Sequence, residues 1–411
     1  MQFPDEFMWG ASTAGHQVEG GNINADIWPL EWAPDTLYKE PSGDACDHYH
    51  RYPEDIAILA ALGLNTYRFS LEWSRIEPEP GYFSRAALDH YRRMIGTCLE
   101  QDITPVVTYC HFTTPRWFAG AGGWRQADAV DRFARYAAAA AQHLGDLIPW
   151  AATLNEPNVI TMLQLTGVIP LGAGDRGPLA DATSSSVAGV GGYDPATYQM
   201  GLVGAGVEQM AAIHRAGVDA IKSGPGETKV GWTLALVDIQ AGDGGEEHWE
   251  RARQGAQLDW LAVSREDDWV GVQTYSRTVL GPDGRAVPLA KATPTMQTGW
   301  EVYPEALGHT VRLASERAGV PVIVTENGMA TDDDEARITY TRGALEGLAD
   351  CIADGIDVRG YLHWTFLDNF EWMSGYAKTF GLVAFDRETF ERTVKPSARW
   401  LGDVARANSL D

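Results

Sequence analysis

Eight short apolar runs recur along the chain, separated by amphipathic or turn-rich stretches, and this alternation limits the fold more than any other feature. The runs cover residues 8–14, 65–70, 104–110, 150–155, 229–234, 269–275, 320–325 and 359–366. Such runs read as buried parallel strands, apolar because both faces are covered. Between them, residues 85–101, 127–147, 195–223, 249–264, 303–318 and 334–354 read as amphipathic helices. Strands alternating with helices and no long linker predict an α/β chain closed into a (β/α)8 barrel, not a doubly wound sheet. The whole chain, 1–411, has the length of one such barrel with long rim loops.

Two of the runs end in a Glu beside an Asn: Thr153-Leu154-Asn155-Glu156-Pro157 and Thr325-Glu326-Asn327-Gly328. The C-terminal mouth of a barrel strand is where this architecture exposes catalytic groups. A carboxyl pair there suits the cleavage of a glycosidic bond, which needs one group as acid/base and another as nucleophile or base. A single strand-end Glu is better read as a cap for the following loop. Two matching contexts weaken that reading.

Composition narrows the partners. A formal charge of −24 disfavours nucleic acid and anionic membranes. Aromatic faces bind the apolar faces of sugar rings, and the 15 Trp supply more of them than packing asks for. Cys46, Cys98, Cys110 and Cys351 are scattered without a C-x-x-C pair, which predicts buried reduced thiols. The first residues, Met1-Gln2-Phe3-Pro4-Asp5-Glu6, lack the basic and apolar regions of a secretory leader, and no apolar run approaches the ~18 residues of a spanning helix. A cytoplasmic protein is expected, with room for assembly into a homo-oligomer. Residues 167–192, rich in Gly, Ala and Ser, read equally well as a loop on the catalytic rim or as a disordered insertion without function, and the turn-rich stretch 281–294 is expected on the same rim. His48-Tyr49-His50 lacks zinc-ligand spacing, and no phosphate-binding glycine loop or G-x-S-x-G elbow occurs, so no metal or cofactor is expected.

Further motifs follow in order: Phe7-Met8-Trp9-Gly10-Ala11-Ser12-Thr13-Ala14 into Gln17-Val18-Glu19-Gly20; Asp44-Ala45-Cys46-Asp47-His48-Tyr49; Tyr67-Arg68-Phe69-Ser70-Leu71-Glu72-Trp73-Ser74-Arg75-Ile76; and Trp364-Thr365-Phe366-Leu367-Asp368-Asn369-Phe370-Glu371-Trp372. Together with the Glu stretches these resemble glycoside hydrolase family 1, the β-glucosidase-like retaining glycosidases, from end to end. The resemblance implies Glu326 as nucleophile and Glu156 as acid/base, ~5–5.5 Å apart. Arg68 would lie against the nucleophile and lower its pKa, and Tyr275 would hydrogen-bond to it. Asn155 would hold the sugar 2-hydroxyl. Gln17, His111, Glu371 and Trp372 would complete the glycone site, with Trp364 beneath the ring and Trp300 on the aglycone side. The substrate would be a small non-phosphorylated β-linked glycoside, cleaved from its end.

The chain departs from the family at Phe112-Thr113-Thr114-Pro115, where Trp-Asp-x-Pro is usual, and at Gln273-Thr274-Tyr275, where Asn-Tyr-Tyr is usual. Gln273 is the longer amide, so its contact near the nucleophile or the 2-hydroxyl must be repositioned. These changes leave the glycone open. Three alternatives remain at this stage: a transglycosidase using the same intermediate, a 6-phospho-β-glycosidase with Lys378 as phosphate ligand, and a non-catalytic sugar-binding barrel.

Overall fold

The computed structural model describes residues 1–34, 36, 38–165 and 206–410. Eight parallel strands close a barrel: β1 (Met8–Ser12), β2 (Thr66–Ser70), β3 (Thr104–Cys110), β4 (Trp150–Asn155), β5 (Lys229–Ala235), β6 (Trp269–Gln273), β7 (Val322–Asn327) and β8 (Val358–Trp364). Each pairs with its sequence neighbours, and β8 returns to β1 through Met8–Gly360 to Ser12–Trp364. All eight expected runs are strands, with ends shifted by up to two residues. The largest consequence is at β7, which runs through Asn327, so Glu326 lies inside the strand rather than beyond it.

Met8, Val106, Ala152, Trp269, Ile323 and Leu362 fill the lower barrel interior. Burying one large side chain of this kind contributes about 1.5–3 kcal/mol. Further along the strands the interior turns polar, with Arg68, Thr108, Asn155, Thr233, Gln273 and Glu326 bonded to one another. Gly271 makes room within this layer: a Cβ there would lie 2.5 Å from the Thr233 methyl and 2.8 Å from Thr325 Oγ1.

Simple alternation would not bring both acidic strands to this layer. Ala152 and Asn155 are three positions apart, as are Ile323 and Glu326, and side chains at odd separations face opposite ways. Register shifts resolve the conflict. The β4–β5 pairing slips between Ala152 and Asn155, and the β6–β7 pairing slips between Val272 and Gln273. Bulges of this kind re-aim a side chain.

Outside, helices Arg85–Glu100, Ala129–Leu144, Gly206–Lys222, Ala306–Ala318 and Asp334–Ala353 cover the barrel as expected. The 249–264 segment is less regular: Glu246–Arg253 passes through a π turn, Gln254–Leu258, into Asp259–Val263. Besides several short turns of helix, two longer helices, His48–Ala61 and Pro396–Ala407, were not expected. The first carries Pro53 in its interior, a residue that argues against a helix in sequence. A short parallel pair, Asp238–Ala241 with Arg277–Leu280, also escaped the reading. The 167–192 segment, and the start of 195–223, lie outside the described residues.

All four cysteines are buried, and none of them forms a disulfide. Trp9, Trp73, Trp124, Trp232 and Trp269 are fully buried, so much of the Trp content serves packing after all. His48 is bonded to Asp55 at 2.7 Å and to the Tyr67 hydroxyl at 3.1 Å, within the core. Among the described residues no helix is long and apolar enough to cross a membrane.

Candidate active site

Arg68 is the third of five residues in β2, with its side chain fully buried inside the barrel. That depth lets one guanidinium serve several strands. Nη1 donates to Glu326 Oε1 at 2.7 Å, Nη2 to Asn155 Oδ1 at 2.6 Å, and Nε to Thr108 Oγ1 at 3.1 Å. Tyr275, two residues beyond β6, donates its hydroxyl to Glu326 Oε2 at 2.8 Å. Gln273 Nε2 donates both to Glu326 Oε1 at 2.7 Å and to Asn155 Oδ1 at 2.9 Å. Glu326 thus receives donors from Arg68, Gln273 and Tyr275.

Glu156 sits differently. It follows β4 in a left-handed conformation (φ 43°), is 9% exposed, and anchors its backbone N–H on the Thr233 carbonyl at 2.8 Å. Among the described residues no donor bonds to its carboxyl. Burial and then the charge of Glu326 push its pKa well above the usual carboxyl value, against the pull of Arg68. Arg68 lowers the Glu326 pKa as expected, but the net shift is upward. Burial outweighs Arg68 and Tyr275, although both pull it down. The proton therefore rests on Glu156, where nothing but Arg68 opposes desolvation, while Glu326 carries the donors that favour the anion.

The other expected residues gather on the same rim. Gln17 donates to the Phe370 carbonyl at 2.8 Å and to Asn369 Oδ1 at 3.1 Å, which ties the loop after β1 to the loop after β8. His111 follows β3 and stacks on Trp364 (centroids 5.8 Å apart) and on Trp372 (6.3 Å). Burial and then Arg68 depress its pKa well below the usual histidine range, so the ring is neutral. Glu371 is pushed up to about 8 by burial and then by the charge of Glu326. Trp364, at the end of β8, packs with Ala14, Ala330 and Phe380, with Tyr275 and Trp300 against that cluster. Phe112 and Trp372, like Glu156, hold positive φ without being glycine, and such strained residues concentrate at functional sites.

Phe112 lies edge-on to His111 (5.0 Å) and Trp372 (5.3 Å), so it packs the aromatic wall without offering the N–H of an indole. Thr113 donates to Glu72 at 2.8 Å and Thr114 to Asp26 at 2.9 Å, so both point into the supporting network. Two participants were absent from the expected site: Gln273 and Thr233, the latter donating to Asn155 at 3.0 Å. Gln273 had a signal, its departure from the family pattern. Thr233 had none, because a buried strand threonine looks like any other.

A cavity of about 690 Å³ opens from Glu156, Gln273 and Tyr275 toward Trp300. Val159, Met162, Val237, Val279 and Leu289 form much of its wall. Its outer part is built by the unexpected parallel pair and by the 281–294 stretch, which does reach this rim.

The family model for glycosyl hydrolase family 1 matches residues 1–180 and 262–410. Beta-glucosidase A of Thermotoga maritima is 31% identical over 100% of this chain and 99% of its own length. Thermostable beta-glucosidase B of Thermobispora bispora is 34% identical over 100% of this chain and 92% of its own. A crystal structure of the beta-glycosidase BGL167 superposes with a TM-score of 0.93 at 50% identity, covering 100% of this chain and 98% of that one. A full-length match of sequence and of fold, on a barrel that gathers two buried carboxyls at its mouth, leaves one conclusion: this chain belongs to glycosyl hydrolase family 1 and is a β-glycosidase.

Proposed function

We propose that Glu326 attacks the anomeric carbon while Glu156 protonates the departing oxygen, and that Glu156 then activates the water that releases the sugar. The carrying observation is the unequal solvation of two buried carboxyls: Arg68, Gln273 and Tyr275 donate to Glu326, and no described residue donates to Glu156. A shared proton then falls on the group that must act as acid first. Asn155, Gln17, His111, Glu371 and Trp372 hold the terminal sugar over Trp364, and Trp300 flanks the leaving group. A non-phosphorylated sugar fits best. Lys378 donates its Nζ to the Gln297 carbonyl, and Glu371 would set a carboxyl against a phosphate. The strongly acidic surface supports a small glycoside as partner over nucleic acid.

The test uses Glu326→Ala and Glu156→Ala on aryl β-glycosides of differing leaving-group ability. Glu326→Ala should lose turnover on all of them while remaining folded. Glu156→Ala should lose far more on poor leaving groups than on activated ones, and azide should partly restore it. Equal loss on both kinds, without rescue, would remove the acid/base role.

A further inference from the structure

The cavity of about 690 Å³ that opens from Glu156 is built unlike the residues around the two carboxyls. Among its described lining residues only Gln273, at the inner end, carries a buried polar side-chain atom without a protein partner. Its charged side chains are turned on one another. Arg277 meets Glu301 through Nε at 2.8 Å and Nη2 at 2.9 Å, reaches Gln240 through Nη1 at 3.1 Å, and lies 4.1 Å over the Tyr303 ring. Ser276 donates to the Glu301 carbonyl at 2.7 Å. Beyond the site residues already described, Gln164, Thr278, the Trp300 indole N–H and the exposed Arg285 are the polar side-chain groups that remain. The rest of the wall is apolar. Met162 and Val237 belong to a cluster with Ala235, Ile239 and Leu280 that backs it. A hairpin completes it: Val287 N–H donates to the Val279 carbonyl at 2.8 Å, and Gly281 N–H to the Arg285 carbonyl at 2.9 Å. On this hairpin Val287 is 46% exposed and Leu289 is 43% exposed. Large apolar side chains scattered singly on a surface need no explanation, but these two adjoin Val279 and Met162 in one concave face.

Continuity with Glu156 fixes what the cavity holds. In the reaction proposed above that carboxyl gives its proton to the departing oxygen, so a group lying in the cavity is attached to that oxygen. A second sugar placed there would set most of its hydroxyls against side chains that cannot bond to them, a desolvation cost that an apolar group does not carry. We propose that the leaving group is an extended apolar aglycone, an alkyl chain or a fused-ring system, and that Met162, Val279, Val287 and Leu289 select it over a second sugar. This rests on the retaining reaction and adds to it the class of aglycone. These side chains touch a part of the substrate remote from the bond that breaks. They therefore hold ground state and transition state alike, and act on KM more than on kcat.

The experiment takes the sugar that wild type cleaves best as an aryl β-glycoside and compares its ethyl to octyl β-glycosides, whose alcohols leave equally well, with the disaccharide in which glucose is the leaving group. Each buried methylene contributes roughly fourfold, so kcat/KM should rise roughly fiftyfold or more from ethyl to octyl, mainly through KM. The octyl glycoside should also be cleaved faster than the disaccharide, although glucose is the more acidic alcohol and the better leaving group. The double substitution Val287→Thr with Leu289→Asn should shrink the octyl-to-ethyl ratio by roughly tenfold. Any general effect of the variant on the two carboxyls cancels in that ratio. A chain-length effect below about threefold in wild type overturns the proposal, as does a disaccharide cleaved faster than the octyl glycoside or a ratio that the double variant leaves unmoved. Should the variant lack a cooperative thermal transition, the wild-type series decides alone. Absence of wild-type turnover on every aryl glycoside would instead strike the retaining reaction itself.

Discussion

Replacing Tyr275 with Phe removes a single hydrogen bond, the 2.8 Å donation to Glu326 Oε2. The ring would keep its packing on Trp300 (5.5 Å) and Phe380 (5.8 Å), and Tyr340 would still hold the backbone carbonyl of residue 275 at 2.7 Å. A hydrogen bond to a charged acceptor contributes about 1.5–3 kcal/mol. At ~1.36 kcal/mol per pKa unit, its loss should raise the Glu326 pKa by roughly 1–2 units. The direction follows from which form the bond favours. Tyr275 donates to the ionised carboxylate and pulls its pKa down, so its removal lets burial push the value further up. The assay is kcat/KM against pH on an activated aryl β-glycoside. In the proposed mechanism Glu326 is ionised in the free enzyme, so the acid limb should move upward by that amount, and rates on that limb should fall about 10–100-fold. The basic limb, assigned to Glu156 in the same proposal, should stay nearly fixed, because burial, Glu326 and Arg68 shift that group and Tyr275 is not among its causes. A pH-independent loss with an unmoved acid limb would refute the reasoning.

Arg392→Met should destabilise the fold by about 3 kcal/mol at neutral pH, read as a lower urea midpoint, because it removes the buried contacts to Asp55 at 2.7 and 2.8 Å and leaves the carboxylate with His48 as its remaining side-chain partner. The folded Asp55 pKa is lowered, so this stabilisation holds above the unfolded value of ~3.9 and fades as pH falls through the folded value; the gap between wild type and variant should close in acid. His111→Phe should keep the stacking on Trp364 and Trp372 while removing a buried nitrogen that no protein group satisfies. Thermal unfolding should show equal or higher stability, by up to ~1–3 kcal/mol, alongside a large loss of kcat/KM; a clear drop in stability would mean the ring is structural.

The strands were legible because a covered parallel sheet writes itself as apolar runs, and even the β7 misplacement was two residues at its end. Periodicity cannot register a bulge. Counting by twos from Ala152 or Ile323 turns Asn155 and Glu326 away from the interior, and only the slipped pairings bring them in. The helix His48–Ala61 was hidden by Pro53, which sits deep enough in it to read as a breaker. Residue types at the site were readable from motif order, whereas their energetics were not. Arg68 did lie against Glu326, yet the net shift of that carboxyl depends on burial, and burial is a property of the closed barrel.

The buried polar atoms without protein partners sharpen this difference between a fold and a site. Five of the thirteen such atoms among the described residues, Gln17 Oε1, His111 Nδ1, Asn155 Nδ2, Gln273 Oε1 and Glu371 Oε1, belong to residues around the two carboxyls. Leaving such an atom unsatisfied costs about 1–3 kcal/mol, so five left dry would cost roughly the entire net stability of an ordinary domain. A sequence selected for folding alone would fill these positions with apolar side chains. They are tolerable only opposite a polar occupant, and donors and acceptors fixed around an aromatic floor complement a ring whose edge is hydroxyls and whose face is C–H. Since these groups are held in place before any ligand arrives, little ordering remains to be done on binding, and more of the binding energy is free to appear in the transition state.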